Sequence, residues 1–140
     1  APVSARAAAE SGIRPAAPLD ALQLSRLYAE ATPLPVRRLE AYRLPDWERQ
    51  GVDWRVPRSS LAPILRFADV EAFVQERAEG DGTSLGGFLQ IGVAKEDQPH
   101  YLKALVRPDQ DAGALIRYGL GVIAERTGRV GRSAQAQSRK

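Results

Sequence analysis

No cysteine and no methionine occur in this 140-residue chain, and histidine occurs once, as His100. Without thiols there are no disulfides and no sulfur-ligated metal sites. A metal centre would then rest on carboxylates, and these show neither calcium-loop nor zinc spacing, so no metal is expected. Long apolar runs are missing as well. None approaches the roughly 20 residues of a membrane helix, and the N-terminus lacks the basic segment and hydrophobic core of a signal peptide. These absences lead to the expectation of a cytoplasmic protein without a membrane partner. Without an initiator methionine, the chain reads as processed or excised.

What charge there is lies unevenly. The net charge is +3, yet every acidic residue lies at or before Glu125, and Arg126, Arg129, Arg132, Arg139 and Lys140 follow with no carboxylate among them. The preceding residues carry 15 basic and 17 acidic side chains, a net of −2, so the basicity belongs to the tail. A chain of this length can bury one core, and the expectation is a single domain.

Three segments are expected. Residues 1–12 form a disordered Ala-rich leader with little to bury, residues 13–128 form the domain, and residues 129–140 form a disordered basic tail. Within the domain, Ile13-Arg14-Pro15-Ala16 reads as a brief extended run, because a proline pushes its predecessor toward β conformation. Ala21, Leu24, Leu27, Tyr28 and Ala31 recur at helical spacing, predicting a helix over residues 19–31 with Asp20 in its first turn. Thr32-Pro33 ends that helix and opens a second, which Pro45 stops near Leu44. A loop is expected over residues 45–60.

Alternation then takes over. Val70, Ala72 and Val74 interleave with Glu71, Phe73 and Gln75; Leu85, Leu89, Ile91 and Val93 line one face of a second strand; His100, Leu102, Ala104 and Val106 alternate with Tyr101, Lys103, Leu105 and Arg107 in a third that stops at Pro108. The three form an antiparallel β meander. Ala112, Leu115, Ile116, Gly119, Leu120 and Ile123 fall on one helical face, predicting a helix from about Asp111 to Arg126 that lies across the sheet, with Gly119 at a close approach. The fold class is α+β, with helices packed on the sheet.

Two motifs carry a family resemblance. Ile13-Arg14-Pro15-Ala16 with Asp20 looks like the I-R-P-A-x-x-x-D opening of the GNAT superfamily of acyl-CoA-dependent N-acyltransferases. Leu105-Val106-Arg107-Pro108 followed by Gly113, between a strand and a helix, resembles that family's acetyl-CoA segment. The likeness covers residues 13–126, the N-terminal part of the family's domain, and implies a partial GNAT-like architecture with acetyl-CoA as co-substrate and an amine as acceptor. It implies strand contacts to the coenzyme from Leu105 and Val106, and pyrophosphate contacts from the backbone N–H groups of Ala112, Gly113 and Ala114 at the helix start. The family segment reads Q/R-x-x-G-x-G/A. Here Gln110 to Leu115 keeps Gly113 but places Leu115 at the small position, and Asp109 and Asp111 flank the turn. The family also requires a further strand, a tyrosine-bearing helix and two closing strands, which residues 129–140 are too few and too polar to supply. The expectation is therefore an acetyltransferase-like domain that is incomplete or inactive as given, with weak or no acetyl-CoA binding and no identified catalytic residue.

Other chemistry-bearing residues have plainer readings. His100 could act as a base but reads as a surface residue beside a hairpin turn. Glu71 could accept an amine proton but reads as the solvent side of its strand. Trp47 and Trp54 could line an acceptor site but read as cover for the edge of the core. Arg37, Arg38 and Arg43 read as a solvated helix face. The alternative function is a non-catalytic interaction module. Its strand edge over residues 100–107 would pair with a second copy, or its basic tail would contact nucleic acid; the latter is the less favoured, since the tail lacks aromatic residues for base stacking.

Overall fold

A computed structural model describes residues 12–48, 67–94 and 98–138. Trp54 and most of the loop expected over residues 45–60 lie outside them. The elements are β1 (Ile13–Pro15), a 3-10 turn (Pro18–Asp20), α1 (Ala21–Ala31), α2 (Leu34–Glu40), α3 (Leu44–Glu48), β2 (Phe67–Glu79), β3 (Gly82–Ala94), β4 (Tyr101–Val106) and α4 (Gly113–Ser138). The strands form one antiparallel sheet in the order β1-β2-β3-β4. The class is α+β.

Both faces of the sheet are covered. On one, Ala72, Val74, Leu85 and Phe88 pack against Ala21, Leu24, Leu27 and Tyr28 of α1 and Trp47 of α3. On the other, Ile13, Phe73, Leu89 and Ile91 pack against Leu115 and Val122 of α4. This corrects two expectations. Glu71 does not face solvent but lies half-buried under α4, and Leu85 does not share a face with Leu89 and Ile91. The cause is a register shift: Gln75 pairs with Gly87 but Glu76 with Leu85, so Gly86 is an extra residue and strand parity inverts there.

Turn chemistry sets the hairpin between β2 and β3. Glu79 pairs with Gly82 across Gly80-Asp81, and Gly80 has φ 59° while Asp81 is not left-handed. That is the pattern of a type II′ turn, whose right-handed twist matches the flanking strands.

Pro45 starts a helix instead of ending one. α2 closes earlier, with Ala41 in the left-handed conformation (φ 52°) and its N–H on the Arg37 carbonyl at 2.9 Å. Asp46 Oδ2 then accepts the Arg43 N–H at 2.7 Å, capping α3, and Pro45 sits in the first turn, where its missing donor costs nothing. Trp47 is carried by this helix and is 2 % exposed, with its ring 5.3 Å from Tyr28, 5.5 Å from Tyr42 and 5.9 Å from Phe88.

α4 also outruns its expected end near Arg126, and its backbone stays helical through residues 129–138. The Thr127 hydroxyl donates to the Ile123 and Ala124 carbonyls, and Gly128 costs only about 1 kcal/mol against alanine in a helix that continues through Ala134 and Ala136. Gly119 meets the sheet as expected: a Cβ there would lie 2.7 Å from Leu102 Cδ1 and 3.1 Å from Leu89 Cδ2.

Candidate functional site

The candidate site is the end of β4 and the start of α4. Leu105 and Val106 are the last β4 residues, paired with Phe88 and Gly87 of β3. Leu105 faces the α1 side and Val106 the α4 side. No strand pairs with the other edge of β4 among the described residues.

The chain then turns tightly. The Arg107 N–H bonds to the Gly86 carbonyl at 3.1 Å, its Nε donates to the Leu85 carbonyl at 3.1 Å, and the Gln110 N–H closes the turn on the Arg107 carbonyl at 3.0 Å. Beneath it, Gln110 Nε2 donates to Gln75 Oε1 at 2.8 Å. Gly86 leaves the space that the Gln110 amide fills, because any Cβ there would collide with it. Leu115, fully buried, packs where a Cβ on Gly87 would stand. Leu115 is therefore a core residue that needs glycine opposite it. Gly86, Gln75 and Gln110 are the positioning residues that the sequence reading missed. Only the adjacent glycines hinted at them.

At the helix start, the Ile116 N–H bonds to the Ala112 carbonyl at 3.0 Å, making Ala112 the N-cap, with Gly113 and Ala114 first and second in the helix. Their amides belong to the set that an α-helix leaves without internal partners. Asp111 Oδ1 accepts the Gly113 N–H at 2.9 Å, so the chain's own carboxylate caps this end. Asp109 turns instead toward Arg77, 3.3 Å away, and that guanidinium holds its carboxyl below the usual range. The Gly113 N–H is open to another acceptor only if the Asp111 side chain swings away.

The remaining candidates separate. In the opening motif, Arg14 holds Asp20 through two bonds of 2.7 and 2.8 Å and Glu76 through a third of 2.7 Å, fastening β1 to α1 and β2. Asp20 also accepts the Ala17 N–H at 2.8 Å. Hydrogen bonding from Arg14 drives the Asp20 carboxyl below its ordinary range against the opposing effect of burial. His100 Nδ1 accepts the Ala94 N–H at 3.0 Å across the β3–β4 connection. Glu71 pairs with Arg126 at 2.8 Å, and Trp47 is core. Arg38 and Arg43 are exposed and Arg37 is partly buried.

On the α1 side of β4, Lys103 Nζ lies 4.0 Å from Glu40 of α2 and 5.6 Å from the Tyr42 ring centre. Burial drives the lysine's pKa down, and Glu40 partly offsets it. Burial also pushes Tyr101 up to about 12 and Tyr42 higher still, with Glu40 adding to both. Gln90, paired with Lys103 in register, is fully buried with neither amide atom hydrogen-bonded among the described residues.

No protein-family model, no curated protein and no solved structure matches the chain. Among the described residues, no helix is long and apolar enough to cross a membrane.

Proposed function

We propose that this chain is the N-terminal part of a GNAT-like N-acyltransferase domain, in which β4 and the start of α4 receive acetyl-CoA for transfer to an amine. The observation carrying this reading is the junction itself. A four-stranded antiparallel sheet with helices on both faces ends in a strand whose outer edge meets no strand among the described residues, and that strand feeds the long α4 through a tight turn pinned by Gln75, Gly86 and Gln110. An extended pantetheine arm carries amide groups that the outward-facing backbone of Val106 can pair with, while Leu105, in the hydrogen-bonded register with Phe88, turns its own N–H and C=O toward β3. The amides at Gly113 and Ala114 offer the pyrophosphate a positive dipole end. The Arg14–Asp20 pair gives the opening motif a structural role, with no catalytic duty.

Asp111 makes the coenzyme site self-capped, so binding is weak, with a dissociation constant above about 100 μM. Titrating acetyl-CoA into labelled protein tests the reading by amide chemical shifts. Shifts at residues 105, 106 and 112–114 support it, and no response there at millimolar ligand rejects it. Asp109→Asn with Asp111→Asn tightens binding if the carboxylates are the obstacle.

A second reading, an interaction module, is favoured by the same bare edge together with Ile116 and Leu120, which lie 39 % and 57 % exposed on α4. Tyr118 stacks on Phe73 and Arg126 reaches Glu71, both toward β2, while Gly119 rests on Leu102 of β4. Helical periodicity then puts Ile116 and Leu120 on the flank nearest the β4 edge. A strand added to β4 would cover them.

A further inference from the structure

Seventeen of this chain's 20 basic residues are arginine; the lysines are Lys95, Lys103 and Lys140. The two side chains are not equivalent, because a guanidinium stays charged wherever it is placed, whereas a buried ammonium gives up its proton readily. Lys103 occupies such a place. It stands mid-strand on β4 with its side chain 26 % exposed, against the Tyr42 ring and 4.0 Å from the Glu40 carboxylate. The neighbouring position in the sheet is the buried Gln90 amide, which has no hydrogen bond among the described residues. A loose ion pair of that length leaves the nitrogen's lone pair available once the proton is lost. Desolvation favours that loss.

We infer that Lys103 is an internal acyl acceptor. Its ε-nitrogen attacks the carbonyl carbon of an acyl thioester, the C–N bond forms as the C–S bond breaks, and the thiol leaves with its proton. The second proton of the starting ammonium passes to Glu40 and then to water, and no oxidant or reductant is needed. The product, an acyl-lysine, carries no charge. It removes the cation that faces Glu40 and the Tyr42 ring, and so cuts the link between α2 and the middle of β4. The natural donor follows from the acyl-transfer reading. The reactivity of the amine does not depend on it.

The test uses the full chain and two donors, acetyl-CoA and the truncated thioester S-acetyl-N-acetylcysteamine, which lacks the nucleotide. Peptide mass spectrometry over a time course gives the acyl occupancy of Lys95, Lys103, Lys140 and the N-terminal amine. Lys103 is expected to acylate several-fold faster than Lys95 and Lys140 with either donor, and the preference is expected to vanish in concentrated urea. A Lys103 rate no higher than theirs in the folded chain, or a preference that survives urea, overturns the inference. A preference seen equally with both donors keeps the inference while removing support for a coenzyme site on this chain. A further gain with acetyl-CoA at Lys103 alone supports both.

Discussion

At one edge of the sheet, β1 spans three residues, contains Pro15, and is fixed by Arg14 to Asp20 and Glu76. At the other, β4 offers six residues whose outer side meets no strand among the described residues. The first edge is blunted by the devices that proteins use against edge pairing: brevity, proline and charge. The second has cations at Lys103 and Arg107, but each leans back toward the body of the domain, to Glu40 at 4.0 Å and Glu30 at 3.7 Å. One edge is closed by design of the local sequence, and the other is left able to receive a strand or an extended ligand. The proposed site stands at the second of these edges.

The closed edge should be the easier to break. Arg14→Ala leaves Asp20, whose side chain is 8 % exposed, without its cation, and is expected to cost about 3 kcal/mol in urea unfolding. The acid limb of the stability profile should change with it. Because Arg14 lowers the folded-state pKa of Asp20, the pair contributes stability above the ordinary carboxylate range and loses it as pH falls through that lowered value. In Arg14→Ala the dependence should flatten. An unchanged acid limb would mean that other carboxylates set it.

At the open edge, the largest effect is expected from Gly86→Ala. The new methyl displaces the Gln110 amide and breaks its bond to Gln75, costing about 2 kcal/mol. Adding Gln110→Ala should recover part of the loss, and a double-mutant cycle showing no coupling would rule out the proposed seat. Gly119→Ala should cost less, about 1 kcal/mol, because the tips of Leu102 and Leu89 can move and alanine favours the helix.

These two edges also show what the chain discloses by itself. The α4 stripe is narrower than the expected one, since Ile116 and Leu120 are 39 % and 57 % exposed and Val122 is buried instead, but the β4 alternation from His100 to Arg107 and the close approach at Gly119 are local signals, written at a fixed period. The Gly86 bulge is not, since it depends on Gln110 arriving from 24 residues further on and on Gln75 from the neighbouring strand. The same holds for Glu71, whose alternation suggested solvent until α4 laid Arg126 over it. Pro45 misled because proline breaks a helix interior but suits its first turn, and only the Asp46 cap distinguishes the two. Near the candidate site, what was legible is that Leu105 and Val106 end a strand and that Ala112, Gly113 and Ala114 open a helix. Which of the two flanking aspartates meets the helix is set by the geometry of the turn, with Asp111 on the Gly113 N–H and Asp109 drawn off to Arg77.

The smallest effect expected is on self-association through β4. Two copies pairing antiparallel about a two-fold axis normal to the sheet bring one residue opposite itself. Centring on Lys103 would set two ammonium groups face to face, which like-charge repulsion disfavours. Centring on Ala104 places Leu102 opposite Val106, Lys103 opposite Leu105 and Tyr101 opposite Arg107, which joins the apolar α4-side faces and separates the charges. In that register the Ile116 and Leu120 flanks of the two α4 helices approach each other over the extended sheet. The expected result is a weak homodimer, visible by sedimentation at about 100 μM. Leu120→Lys, at a site 57 % exposed and so tolerant in the monomer, should weaken it by about 1 kcal/mol, roughly fivefold in dissociation constant. If Leu120→Lys has no effect while association persists, the contact lies elsewhere. A clean monomer at that concentration would reject pairing through β4, since its six residues would then resist the partner most available to them.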